Sequence, residues 1–87
     1  MSKDCYDADL ALLKCAERIR GLREEKGLTV EQVAEYAGVA TGSVSNWENA
    51  KKAPGYFSIL KLIKLFDENA DYIMGLSDDR RIKKIAQ

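Results

Sequence analysis

Apolar side chains recur at three- and four-residue intervals along almost the whole chain, the spacing that gives a helix one buried face. Leu12, Cys15, Ile19 and Leu22 fall on one side of a helix predicted over residues 8–26. Asp7 is its expected N-cap, and Gly27 followed by Leu28 suits a left-handed stop closed by a hydrophobic contact. Thr29 and Gln32 form a capping box in which each side chain serves the other residue's amide. A short helix over 30–37 follows, with Val33, Ala34 and Ala37 inward and Gly38 at its end. Val39, Val44 and Trp47 then mark a third helix reaching Glu48. Ser58 is the expected cap of a fourth helix over 59–67, with Ile59, Leu60, Ile63 and Phe66 along one side. Asp71 heads a short fifth helix containing Tyr72, Ile73 and Leu76. The tail SDDRRIKKIAQ has Ser77 as a cap, acids early and basic residues later, which suits the helix dipole. Its thin stripe of Ile82 and Ile85 could add a sixth helix. Neither strand-like alternation nor an internal repeat is present, so the predicted fold class is all-α.

The second and third helices are separated by only a few residues around Gly38. A glycine-containing turn that short gives two helices crossing at a steep angle, the helix-turn-helix arrangement. Packing Val33, Ala34, Ala37, Val39, Val44 and Trp47 between the crossed helices leaves Thr41, Gly42, Ser43, Ser45, Asn46 and Asn49 facing outward. These residues are short, uncharged and, glycine apart, able to donate or accept hydrogen bonds. That is the surface a helix needs to read base edges from within the major groove.

Composition narrows the alternatives. A chain of 87 residues makes one small domain, and 46% apolar with 32% charged residues is the balance of a folded chain rather than a disordered one. Fourteen basic and fourteen acidic side chains cancel. That argues against non-specific coating of nucleic acid, which needs a strong positive field, but leaves room for a specific binder with a small basic patch. The basic excess lies in the second part: residues 1–40 carry six basic and eight acidic side chains, residues 41–87 eight and six. Cys5 and Cys15 are the only cysteines and histidine is absent, so no metal site is expected and both thiols are read as reduced. Without histidine, and with no carboxylate pair breaking an apolar face, neither catalysis nor a cofactor is expected. No apolar run is long enough to span a membrane, and the acidic N-terminus lacks the order of a signal peptide, so the expected location is the cytoplasm.

The stretch LTVEQVAEYAGVATGSVSNWENAKKAP resembles the helix-turn-helix of the Cro/cI-type (XRE-like) repressors, with Ala34, Gly38, Val44, Trp47 and Glu48 at characteristic positions. RIRGLREEKGL before it resembles the family's first helix. ILKLIKLFDENADYIMGLSDD after it resembles the closing helices, including Asp71-Tyr72 and Gly75-Leu76. The resemblance covers roughly residues 16–79. It implies a single lambda-repressor-like DNA-binding domain of five helices over 1–87. Residues 1–15 extend helix 1, 30–49 form the helix-turn-helix, and 80–87 form a tail.

The resemblance also implies roles. Thr41, Gly42, Ser43 and Asn46 occupy base-facing positions of the third helix. Thr29, Gln32 and Asn49 fall where phosphates are held, helped by Lys51 and Lys52. Arg23 and Glu48 form an ion pair within the chain, and Trp47 belongs to the core. Departures from the family pattern matter too. Ala40 stands where the family usually has a capping Ser, leaving Thr41 as the alternative cap. Val30 replaces a polar side chain, removing one phosphate contact. Gly42 either lets the backbone approach DNA closely or is a weak point without readout. The implied partner is double-stranded DNA, bound by a homodimer. Tyr72, Ile73, Leu76, Ile82 and Ile85 offer one pairing surface, and Leu10 and Leu13 a second. A different class of function is an antitoxin-type or regulatory module whose main partner is another protein.

Overall fold

Local signals set the path of the chain before any packing is considered. The computed structural model describes residues 8–80. Helix α1 (Ala8–Glu25) ends as the Gly27-Leu28 pair requires: the Gly27 amide donates to the Glu24 carbonyl at 3.0 Å and the Leu28 amide to the Arg23 carbonyl at 3.0 Å. Helix α2 (Val30–Ala37) opens on the Thr29–Gln32 capping box and stops at Gly38. Helix α3 (Thr41–Glu48), helix α4 (Tyr56–Phe66) and the single turn of α5 (Ala70–Ile73) complete the order, with no strand among the described residues.

These helices share one core. Cys15, Ala16, Ile19 and Leu22 come from α1, Val33, Ala34 and Ala37 from α2, and Val44 and Trp47 from α3; Leu62 and Phe66 come from α4, and Ile73 from α5. α2 packs chiefly on α3, and α1 lies across α3 and α5. Trp47 is therefore a packing residue. Burial also pushes the Cys15 thiol up to about 11, against a minor opposing pull from Arg18, so it stays protonated and inert at neutral pH. Among the described residues no helix is long and apolar enough to cross a membrane.

Several expected boundaries shift. α4 begins at Tyr56 rather than 59, with Gly55 as an N-cap that has no side-chain bond, so Ser58 lies inside the first turn. Gly55 is extended, with φ −78 and ψ −179, and its carbonyl accepts the Ile59 amide at 2.9 Å, the first bond of the helix. The buried stripe of α4 runs through Leu62 and Phe66, flanked by Ile59 and Ile63, while Leu60 is 41% exposed. The cap of α5 is Asn69, not Asp71; its Oδ1 accepts the Tyr72 amide at 2.8 Å. Ile73 is fully buried inside the chain and Leu76 lies beyond the helix, so the fifth helix presents no continuous apolar surface. Asp7, Cys5, Ile82, Ile85 and the sixth helix expected in the tail lie outside the described residues.

Residues 74–80 run back along α1. Arg18 donates to the Tyr72 carbonyl at 3.0 Å and the Ser77 carbonyl at 2.8 Å, and pairs with Asp78 at 2.5 Å. Arg80 pairs with the buried Glu68 at 2.9 Å and with Glu25 at 3.1 Å. Both guanidinium groups lie over the Tyr72 ring, that of Arg18 4.3 Å and that of Arg80 5.2 Å from its centroid.

Candidate nucleic-acid interface

α2, the turn and α3 hold the expected surface in place through their own backbone chemistry. Gln32 donates its amide to Thr29 Oγ1 at 3.1 Å, and the Thr29 amide donates to Gln32 Oε1 at 2.8 Å. Each side chain thus spends an acceptor on the cap, while the Thr29 hydroxyl proton and the Gln32 amide hydrogens remain as donors. Donors are what a phosphate oxygen takes. At Gly38 the backbone enters the left-handed region, with φ +75, which only glycine adopts without strain. There the Val39 amide turns back to the Ala34 carbonyl at 3.0 Å. That reversal crosses α3 over α2 and buries Val33, Ala34, Ala37, Val44 and Trp47 between them.

α3 starts on Ala40, an N-cap with no side chain to offer, so Thr41 does not take over the cap and is the first helical residue. Its hydroxyl is left for another partner. Thr41, Gly42, Ser45 and Asn49 are exposed, whereas Ser43 and Asn46 are half-buried. An added Cβ at Gly42 would find no atom within 4 Å, and its φ is not positive. Nothing within the described chain requires a glycine there.

The end of α3 places the basic turn. Ala50 lies in the left-handed region with φ +58, and the Lys51 amide reaches back to the Asn46 carbonyl at 2.9 Å. Lys51 and Lys52 are both exposed. The chain therefore carries two cations directly past a half-buried amide of α3. Asn49 is exposed; its Nδ2 donates to the Ser45 carbonyl at 2.8 Å and lies 3.4 Å from the Ser45 hydroxyl. That bond uses one of the two amide hydrogens and leaves the other as a donor.

Glu48 is the one acid on α3, and a bare carboxylate there would repel DNA. It is neutralised within the chain. Arg23 Nε lies 2.6 Å from Glu48 Oε2 and Arg23 Nη2 3.1 Å from Oε1, a two-point pairing in which both side chains are largely buried. The hydrogen bonding to the Glu48 carboxylate raises the Arg23 pKa above its already high ordinary value, outweighing the effect of burial. Arg23 also donates to the Leu28 carbonyl at 3.0 Å, so one guanidinium ties α1, the α1–α2 turn and α3 together. Arg20, which the sequence did not single out, adds a contact to Glu48 Oε1 at 3.7 Å and one to the Glu48 carbonyl at 3.4 Å. Its spacing three residues before Arg23 was the available signal. No group of three or more potential metal ligands occurs among the described residues.

Comparison with known proteins gives a consistent picture. A helix-turn-helix family model matches residues 19–73. Over 63 residues the chain is 41% identical to the HTH-type transcriptional regulator YobD of Bacillus subtilis (strain 168), covering 72% of this chain and 56% of that protein. The HTH-type transcriptional repressor RghR of the same bacterium is 50% identical over 36 residues, 41% of this chain and 27% of its own length. Among solved structures, the restriction-modification controller protein C.AhdI from Aeromonas hydrophila superposes with a TM-score of 0.65 at 31% identity, covering 71% of this chain and 94% of that one. The P22 c2 repressor, solved in complex with a synthetic operator, gives 0.68 at 25% identity, covering 72% and 96%. The matched region spans about half the length of YobD.

Proposed function

The chain belongs to the Cro/cI-type helix-turn-helix family, and on that premise we propose that it is a cytoplasmic, sequence-specific repressor of transcription that lays α3 in the major groove of double-stranded DNA. The observation that carries this reading is the outward face of α3. It is short, uncharged and rich in hydrogen-bonding groups, and the only acid on the helix is paired internally. Thr41, Gly42, Ser43 and Asn46 contact base edges, Gly42 by letting a base edge approach the backbone. Thr29, Gln32, Asn49, Lys51 and Lys52 hold phosphates and set the register. Enrichment of bound sequences from a pool of random duplexes tests the reading: a defined half-site supports it, and a pool that stays random with the folded chain overturns it.

The active species is a homodimer. A single module with zero net charge has little long-range attraction to phosphate and reads only a few base pairs. Two copies on a two-fold axis place their recognition helices about 34 Å apart, one turn of DNA, and link the two binding events. Residues 53–60 carry no charge in a chain that is 32% charged, and Tyr56 and Phe57 there are 71% and 77% exposed. With Leu76 they are the apolar surface that a second copy would cover. Sedimentation with and without a selected duplex tests this, and a monomer on a single half-site at high micromolar concentration overturns it.

A further inference from the structure

Ala8, Ala11, Leu12 and Cys15 follow one another at three- and four-residue steps and form one apolar stripe along the first half of α1. The stripe faces a cavity of about 260 Å³, which Ile59 of α4, Pro54 and Met74 also line. α1 packs chiefly on α3 and α5, and α4 on α2 and α5, so the cavity is the space that α1 and α4 leave between them. Leu12, Pro54, Ile59 and Met74 are each only half-buried, because they face this space and not a packed neighbour.

The lining dictates what such a space takes. No charged side chain contributes to it, and its one titratable group is the Cys15 thiol, which burial keeps protonated. A charged molecule entering it would lose hydration and find no counter-charge. Water fares little better, since an ordered water needs two to four polar partners. An apolar cavity of about 150 Å³ is enough to hold benzene, so this one has room for a molecule of two rings. Tyr56 and Phe57, the main surface offered to a second copy, lie outside the lining, so covering them leaves the cavity unfilled.

The cavity also touches the DNA-binding surface. Ala53 and Pro54 on its lining directly follow Lys51 and Lys52, the cations assigned to phosphates. A ligand that prefers one placement of this turn biases the lysines with it.

We propose that this cavity binds an uncharged aromatic or branched aliphatic molecule of about ten non-hydrogen atoms, and that its occupancy, acting through Ala53 and Pro54, adjusts the affinity for DNA. The coupling rests on the proposed DNA-binding function, whereas the site itself stands without it.

Indole is the probe, titrated calorimetrically into the full chain with and without a selected duplex. One indole per chain should bind. Ala53→Phe, which fills the cavity from an exposed loop position, should weaken it by at least about tenfold. Leu12→Trp fills the same space from α1 and serves where circular dichroism shows that the first variant is unfolded. Benzoate, of similar size but charged, should not bind. Saturating indole should change the Kd for the duplex by about fivefold in the wild-type chain and leave Ala53→Phe unchanged. The site is overturned if indole does not bind, if it binds the filled variants as well as the wild type, or if benzoate binds equally. Binding that vanishes at concentrations where sedimentation shows a dimer also overturns it, because Leu76 lines the cavity and a second copy is then the occupant. An unchanged duplex affinity with indole bound overturns the coupling. A chain that takes indole but no duplex supports the site and removes the DNA-binding function alone.

Discussion

Gly75 passes so close to α1 that a Cβ at that position would stand 2.5 Å from the Ala11 carbonyl oxygen. Its φ of +81 lies in the left-handed region as well, so a side chain there meets a backbone strain and a backbone clash together. Gly75→Ala should destabilise by about 3 kcal/mol, roughly 1 from the conformation and the rest from displacing α1. Gly38→Ala has the same conformational strain with no atom within 4 Å, and should cost only about 1 kcal/mol. Urea denaturation of both variants checks the difference. Equal losses would show that the approach of residue 75 to α1 contributes nothing.

Much of this architecture is legible in the sequence because the signals are local. The Thr29–Gln32 box, Gly27-Leu28 and Gly38 each depend on residues a few positions apart, and α2 runs over 30–37 as the spacing predicts. The start of α4 was not legible in the same way: Ser58 is a good capping residue, yet the helix starts earlier, on an extended Gly55 that caps with its backbone alone. The fate of Ile73 was equally hidden. Helical spacing says that it faces an apolar partner, but only the tertiary arrangement shows that this partner is the chain's own core. The site divides likewise. The outward face of α3 follows from periodicity, whereas the turn of Asn49 toward Ser45 is a choice of rotamer that periodicity does not specify.

The Arg23–Glu48 pair makes a thermodynamic prediction. Both groups are largely out of water, so deleting one strands the other. Glu48→Ala or Arg23→Ala should each cost about 3–5 kcal/mol, and replacing both with apolar residues should recover much of the loss. Denaturant midpoints for the two single variants and the double variant measure this. Additive losses would mean that the two side chains act independently.

Asp78 predicts an acid-sensitive strap. Hydrogen bonds from Arg18 and then Lys14 hold its carboxyl below the ordinary aspartate value of 3.8. A folded-state pKa below the unfolded one stabilises the fold above the unfolded value, and the effect is lost as pH falls through the folded one. The wild-type chain should therefore lose part of its stability below about pH 4, and Asp78→Asn should lack that part of the dependence. Thermal melts of both chains between neutral pH and acid decide the matter, and parallel profiles would remove the assignment.

Gly42 sets stability against binding. Alanine should favour the helix by about 0.5–1 kcal/mol, since the site is open and the backbone needs no glycine. If DNA occupies that open space, the same methyl group should weaken binding by about tenfold, or ~1.4 kcal/mol. A Gly42→Ala chain that melts higher and binds less supports the close approach, while one that melts higher and binds as well shows that position 42 lies clear of the base pairs.

Lys51 and Asn46 should separate position from sequence. The Lys51 amide is bonded to the Asn46 carbonyl, so the two residues are neighbours, yet their side chains offer different chemistry. An exposed ammonium attracts any phosphate and discriminates no base. Lys51→Ala should therefore weaken all duplexes alike and reduce the dependence of log Kd on log salt by about one. Asn46 can present an amide donor and acceptor to one base, and adenine takes both. Asn46→Ala should relax the preference at one position by about 1–3 kcal/mol and leave the salt dependence unchanged. Titrations of matched and mismatched duplexes at several salt concentrations give both quantities from one experiment. A changed sequence preference in Lys51→Ala, with an unchanged one in Asn46→Ala, would reverse the roles and place the basic turn, rather than α3, on the bases.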